Sequence, residues 1–442
     1  MSDGASSRLV RWTGASTDLS KVDRRALFDR TAAAGSDDVR ERTAAIIARV
    51  RRDGDTALRA LAAEFDHVTL DALDVPLSRC QAALDMLDPG LRQSLERAAN
   101  NIRHVHQAFL PVTQETESEP GVVVGRRPDP LGRVGVYAPG GRAAYPSSVL
   151  MGVIPARVAG VGQIVVCSPP SGDTGVPSAV VLAAAALAGA DRVFALGGAG
   201  AIAALAYGTE SVPRVDRIVG PGNAYVAEAK IQVASAVAID SPAGPSELLV
   251  LADASADPRF IAREMLAQAE HDPLAAVVAI VTSEAVARTV CQALDELLPA
   301  QPRADIVSAA LQGQGAVLWA DSEDSAIAFA NQYAAEHLLL LVSSPDTVLP
   351  LLRNAGTVFV GAYASVAFGD YMTGANHVLP TGGLARSYSG LSTLDFVRWT
   401  TYQRVTRDAA ARLADDVGVF ADAEQLGGHA LAARAWRAGR PA

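Results

Sequence analysis

The strongest constraint on this chain lies in its middle, where short β-branched runs close on glycine and open into alanine-rich text with helical spacing. Gln163–Ser168 (QIVVCS), Arg192–Leu196 and Arg217–Val219 read as strands, each followed by a helical stretch: Val176–Leu187, Ala199–Tyr207 and Asn223–Val237. Parallel strands need a crossover, so buried apolar runs alternating with helices at roughly 30-residue spacing predict βαβ units in a doubly wound parallel sheet. After the turn-rich segment Asp240–Glu247 the grammar resumes, with strands at Leu248–Leu251, Ala276–Thr282, Ala316–Trp319, Leu338–Val342 and Val358–Val360. Helical text near Pro258–Ala269, Glu284–Leu298, Glu323–Ala335 and Pro345–Asn354 separates them. Two such sets predict two similar α/β halves, although no repeat shows in the sequence itself. Arg25 to about His106 reads as surface helices, and the text beyond Gly390 as arginine-rich helices without strands. A tail of about fifty residues cannot bury a core alone, so it is expected to pack on another domain or a second subunit.

Composition narrows the function classes. At about 100–200 residues per domain, the length allows two to four domains. With 48 acidic against 38 basic side chains and net charge −10, the surface disfavours a general nucleic-acid binder. Cys80, Cys167 and Cys291 are widely spaced and form no CxxC pair, which argues against a disulfide framework and suits a reducing compartment, the cytoplasm by default. The longest apolar stretch, Val176–Ala190, is too short and too alanine-rich to span a membrane, and the N-terminus lacks the apolar core of a signal peptide.

Four of the seven histidines stand in unusual company. Gln268 and His271 are three residues apart near a helix end, so they leave one face and could converge on an ion, although such pairs also arise by chance. Glu336-His337 sets an acid beside a base at a helix-to-strand junction, the two pointing different ways; the alternative is a surface carboxylate next to a core histidine. Asp370 and His377 lie in a loop of small and polar residues between Gly361 and Gly383, longer than a plain connector needs. Glu424 precedes Gly427-Gly428-His429, where two glycines let the backbone set a histidine against another chain, or else form a helix cap. His67, His104 and His106 stand among charges and read as surface residues. Asn, Gln, His and Asp ligands suit zinc, or manganese and cobalt at higher coordination number, in a catalytic or substrate site rather than a structural finger.

Three glycine clusters follow strands: Pro139-Gly140-Gly141-Arg142, Gly197-Gly198-Ala199-Gly200 and Gly220-Pro221-Gly222-Asn223. Free amides and the positive end of a helix favour a phosphate there, with plain tight turns as the alternative. Gly198–Ala203 reads GxGxxA, yet the acid expected about 20 residues on for the ribose is missing, because Asp216 falls at the start of the next strand. Cys167, in an apolar strand without a nearby base, reads as inert, which weighs against a cysteine-based aldehyde dehydrogenase.

Taken in order, the strings RVGVYAPGGRAAYPSSVLMGVIPARVAG, IVGPGNAYVAEAK, DSPAGPSELLV, AQAEHD, NQYAAEHL, GDYMTGANHVLPT and EQLGGH resemble histidinol dehydrogenase, over roughly Asp23 to His429. The resemblance implies a zinc-dependent oxidation of L-histidinol to L-histidine through histidinaldehyde with two NAD+, the last step of histidine biosynthesis. It implies one zinc per subunit on Gln268, His271, Asp370 and His429, with Glu336 activating water and His337 acting as general base. Ser246, His377 and Glu424 would touch substrate alongside His337 and the metal ligands, and Tyr137, Gly200 and Asn223 would mark the dinucleotide site. Gly200 stands where many relatives carry glutamine, so a side-chain contact to the cofactor is missing, and Ser365-Val366 stands where relatives often carry Pro-Glu. Residues 25–136 and 247–385 are expected to form one Rossmann-like domain and 137–246 the other, on the dinucleotide side. Residues 1–24 and 386–442 would be helical segments supporting a homodimer that donates Glu424 and His429 across its interface. The competing expectations are a zinc hydrolase using Glu336 without a dinucleotide, and a catalytically silent metabolite-binding relative.

Overall fold

The computed structural model describes residues 9–30, 37–140, 144–171 and 174–437. They fall into two compact units, Met1–Phe109 with Leu131–Phe396, and Leu110–Pro130 with Val397–Ala442. The strands are β1 (Trp12–Ala15), β2 (Asp74–Val75), β3 (Gln114–Glu119), β4 (Val122–Pro130), β5 (Arg133–Tyr137), β6 (Gln163–Ser168), β7 (Arg192–Ala195) and β8 (Arg217–Val219). They continue with β9 (Ala238–Ile239), β10 (Glu247–Ala252), β11 (Ala276–Val281), β12 (Gly315–Trp319), β13 (His337–Leu341), β14 (Thr357–Val360) and β15 (Val397–Val405). The helices are α1 (Lys21–Phe28), α2 (Asp37–Leu61), α3 (Leu77–Asp85), α4 (Pro89–Ala108), α5 (Pro146–Val158), α6 (Ala179–Ala188), α7 (Gly198–Tyr207) and α8 (Ala224–Val233). After them come α9 (Pro258–Ala269), α10 (Glu284–Leu297), α11 (Ala304–Gln314), α12 (Glu323–Tyr333), α13 (Pro345–Val348), α14 (Val366–Tyr371), α15 (Arg407–Ala423) and α16 (Gly427–Arg434).

The first unit holds two six-stranded sheets, ordered β1-β12-β11-β10-β13-β14 and β2-β7-β6-β5-β8-β9. All pairings are parallel except that of the edge strand β2 with β7. Each sheet takes an edge strand from the N-terminal region and then the third, second, first, fourth and fifth strands of its own set. The two halves are therefore alike in topology where the sequence shows no repeat. The apolar runs are explained by burial on both faces. Leu248, Val250, Val277, Ala279 and Leu339 pack on the side of α9, α10 and α11. Their alternates Leu249, Leu251, Val278, Ile280 and Leu338 pack with α12 and Leu27 on the other side.

Three expectations are corrected. Residues 1–24 and 386–442 are not purely helical, because β1 joins the first sheet beside β12 and β15 pairs antiparallel with β4. The sequence of β15, VRWTTYQRV, hid this, since a half-exposed antiparallel strand needs no apolar run. Helices α2, α3 and α4, grouped in the sequence with the first sheet, pack instead on α5 to α8, and β2 lies on the second sheet. His106 is not a surface residue: it is 1% exposed, whereas His67 and His104 are exposed.

The second unit consists of the antiparallel sheet β15-β4-β3 and helices α15 and α16. Among the described residues no helix is long and apolar enough to cross a membrane.

Candidate active site

The order of the second sheet reverses at β5, which lies between β6 and β8, and ligands of open α/β sheets bind at the carboxyl ends of strands flanking such a reversal. All three glycine clusters arrive there, after β5, β7 and β8, and line a cleft of about 950 Å³ together with Tyr137, Pro169, Leu196, Asn223 and the end of α2. Gly141 and Arg142 lie outside the described residues. The Tyr137 hydroxyl accepts from the Gly198 amide at 3.1 Å, and Asn223 caps α8 by accepting from Tyr225 and Val226. Gly220 has φ +114°, and a Cβ there would collide with the Tyr137 carbonyl, so only glycine lets the third cluster approach β5. Its amide donates to Asp240 Oδ2 at 2.7 Å, and the buried Lys230, ion-paired with Asp240, donates to its carbonyl at 3.1 Å. Gly200 is buried in the first turn of α7, where a Cβ would lie 3.0 Å from Leu61 Cδ1. Leu61 thus occupies the space a side chain at that position would use.

A second pocket of about 620 Å³ shares Gly140 and Asn223 with this cleft and is lined by Ser246, His271, Glu336, His337, Asp370, His377 and Thr381. The pocket lies by the amino ends of two neighbouring strands of the first sheet: Glu247 opens β10 and His337 opens β13. The Glu247 amide donates to Glu336 Oε2 at 2.7 Å, and the Glu336 amide donates back to Glu247 Oε2 at 3.3 Å. No described residue donates to the second oxygen of Glu336.

His337 Nδ1 lies 3.0 Å from the Glu247 carbonyl. A carbonyl only accepts, so Nδ1 carries a hydrogen and Nε2 is the basic nitrogen. That Nε2 is 3.6 Å from Asp370 Oδ1, and Nδ1 is 3.4 Å from Glu336 Oε2. Glu336 and His337 therefore meet, contrary to the expectation that they diverge. Burial lowers the basicity of His337, but the carboxylates of Glu336 and Asp370 outweigh it and raise its pKa to about 10. Burial in turn raises Asp370, while His337, His377 and His271 pull it below the ordinary carboxylate range. His377 Nδ1 donates to the Asp370 carbonyl at 3.0 Å, leaving its Nε2 free, and Asn376 holds this loop by donating to the Met151 carbonyl at 2.8 Å.

Gln268 on α9 is 2% exposed and its side-chain nitrogen has no partner. Oxygen and nitrogen of such an amide are assigned from their surroundings, so one end of a buried amide awaits a ligand. Gln268, His271 and Asp370 form a nitrogen-and-oxygen donor set that fits zinc. Among the described residues no three His, Cys, Asp or Glu side chains gather as a metal cluster. His429 and Glu424 are exposed residues of the second unit.

Sequence reasoning missed Glu247 and Arg30. Arg30 Nη1 pairs with Glu247 Oε2 at 3.3 Å, stacks 3.4 Å from the Tyr333 ring centroid and donates to the Tyr333 carbonyl. Burial and the charge of Glu336 push Glu247 up to about 7 against the pull of Arg30. The available signal was a glutamate at the head of an otherwise apolar strand. The three cysteines are buried, and burial pushes the Cys167 thiol far up, as expected of an inert residue.

Comparisons with known proteins agree with this arrangement. The chain is 50% identical over 414 residues to the histidinol dehydrogenase of Natronomonas pharaonis, covering 93% of this chain and 96% of that one. It is 51% identical to that of Halobacterium salinarum, with the same coverage. The crystal structure of histidinol dehydrogenase from Elizabethkingia anophelis superposes with a TM-score of 0.91 at 34% identity, covering 96% of this chain and 98% of that one. The family model for histidinol dehydrogenase matches residues 29–437, which takes in both clefts and the second unit, so the chain belongs to the histidinol dehydrogenase family.

Proposed function

We propose that the chain is an oxidoreductase that converts L-histidinol to L-histidine through histidinaldehyde with two NAD+, in the cytoplasm, as the last step of histidine biosynthesis. The observation that carries this reading is the junction of a dinucleotide-sized cleft with a pocket presenting an acid and a correctly oriented base, Glu336 and His337. Zinc, held by Gln268, His271, Asp370 and the partner's His429, would supply the positive charge that grips the substrate imidazole and amine, and the bound dinucleotide would accept hydride.

With zinc sharing its charge, Asp370 would hold the His337 proton less tightly, and His337 would fall toward the neutral form a base requires. His337 Nε2 then takes the hydroxyl proton of the alcohol as the carbon gives up hydride. Glu336 uses its undonated oxygen to take a proton from the water that adds to the aldehyde carbon. His337 acts again on the resulting hydrate when the second hydride leaves. Ser246 and His377 line the pocket wall and position the substrate.

A homodimer completes the site in this reading, with Glu424 and His429 donated to the partner copy. It is supported by the second unit, where Phe420 is 70% and Leu431 74% exposed beside those residues. The test is metal analysis with NADH formation from histidinol. Two NADH per histidinol, abolished by a chelator and restored by zinc, are expected. A folded, zinc-loaded protein that formed none would overturn the proposal.

A further inference from the structure

The parallel-sheet fingerprint left an open question: the carboxylate that receives the ribose diol is absent from its usual place. The structure sharpens this. Asp216 stands at the amino end of β8, and its Oδ2 is committed to the Arg133 amide at 2.8 Å, whereas the cleft lies at the carboxyl ends of the strands. Gly200 offers no side chain either.

Another carboxylate reaches the cleft from outside the sheet. The helix α2 runs into a single π-helical turn, Ala62–Asp66, closed by His67 at φ 57° in the left-handed region. Such turns re-aim the side chains that follow a regular helix and recur at functional sites. Here the turn brings Asp66 to the cleft wall opposite Tyr137 and the start of α7. The Asp66 carboxylate has no hydrogen-bond partner among the described residues, and burial raises its pKa to about 6. Its oxygens are not sealed in the protein, so they stand open to the cleft and can accept from a ligand in place of water.

The cationic side chains on the same wall are already neutralised: Arg49 pairs with Glu64 at 3.1 Å and Arg42 with Asp38 at 2.8 Å. Among the described residues the wall therefore offers a negative acceptor, and each of its two arginines already has a carboxylate partner. It lies away from the pocket of Glu336 and His337, and Asp66 does not line that pocket. Since the nicotinamide must reach His337, this wall faces the adenosine half.

We propose that Asp66 receives the adenosine ribose diol of the dinucleotide and makes the chain select NAD over NADP. Two carboxylate oxygens match two vicinal hydroxyls, and a 2′-phosphate there would face a negative charge on a wall whose arginines, Arg42 and Arg49, are already paired with Asp38 and Glu64. The inference rests on the dinucleotide reading of the cleft, so the experiment tests both separately.

NAD and NADP affinities are measured by calorimetry for the full-length protein and for Asp66→Asn, with thermal midpoints as a fold control. The wild type is expected to bind NAD, and NADP at least about 10-fold more weakly. Asp66→Asn should lose about 10-fold in NAD affinity, the size expected for losing hydrogen bonds to a charged acceptor, and narrow the preference over NADP. Because Asp66 makes no protein hydrogen bond, its thermal midpoint should be unchanged or higher. Unchanged NAD affinity in the variant overturns the proposal. Weaker NAD binding with an unchanged NAD-to-NADP ratio overturns the adenosine assignment in favour of the nicotinamide ribose. A wild-type protein that binds neither dinucleotide fails the cofactor reading itself.

Discussion

Replacing Glu264 should loosen Asp370, a proposed metal ligand with which it shares no hydrogen bond. Glu264 is buried one turn before Gln268 on α9, and its two oxygens accept from the Ser365 hydroxyl at 2.7 Å and the Val366 amide at 2.9 Å. It therefore caps α14, the six-residue helix that carries Asp370, and ties it to the helix that carries Gln268. Glutamine at 264 keeps one acceptor oxygen and turns amide hydrogens toward a donor. A hydrogen bond to a charged acceptor contributes about 1.5–3 kcal/mol, so Glu264→Gln should cost about 2 kcal/mol. Ser365→Ala leaves the Val366 bond and should cost about 1 kcal/mol. The double variant should fall short of their sum, because the two changes remove one shared bond. Urea unfolding gives these values, and zinc titration gives the functional consequence, a weakening of about 10-fold in Glu264→Gln of the kind seen when a ligand's supporting shell is lost. Stabilities within about 0.5 kcal/mol of wild type together with unchanged zinc affinity would refute the reasoning.

Other outcomes follow from the buried groups. Both ring nitrogens of His106 lack partners, and burial lowers its pKa to about 4 from an ordinary 6.5. Between those values the unfolded chain binds a proton that the folded chain refuses, so this stability is present above pH 6.5 and lost on acidification. His106→Leu should be neutral or stabilising at pH 7 and should flatten the acid limb in urea titrations at successive pH values. Glu247 behaves oppositely: raised to about 7 from 4.5, it holds a proton when folded, so its contribution falls as pH rises across that window. Glu247→Gln should remove that part of the slope in the same measurement. Asp240→Asn keeps one acceptor oxygen for two donors and removes the charge opposite the buried Lys230 ammonium, so it should cost about 3–5 kcal/mol in urea unfolding while raising the KM for NAD.

The first sheet was readable because both of its faces are buried, which turns strands such as Ala276–Val281 into unbroken apolar text. Edge and ribbon strands were not: β1 is four residues, WTGA, and β15 mixes half-buried with exposed residues and has no buried one. The paired strand order of the two sheets was invisible for a similar reason, since topology repeats while side chains do not. At the site, the motif residues were readable through family resemblance, and the structure brings Ser246, Glu336, His337, Asp370 and His377 to one pocket. Glu247 and Arg30 were not readable, because their roles arise from contacts across long stretches of chain: the Glu247 amide meets Glu336 across 89 residues, and Arg30 meets the Tyr333 carbonyl across 303. Asp66 escaped because a π-helical turn, which leaves no periodic signature, is what aims it.

In the proposed reaction labour is divided within one pocket, His337 serving both oxidations and Glu336 only the hydration between them. The most direct measurement is NADH formation by zinc-loaded Glu336→Gln, started in turn from histidinol and from histidinaldehyde. The geometry predicts that the alcohol step stays near wild type while the aldehyde step slows by about 100-fold or more, the range of a lost general base, so that aldehyde accumulates. Equal slowing of both steps, or none of either, would contradict it.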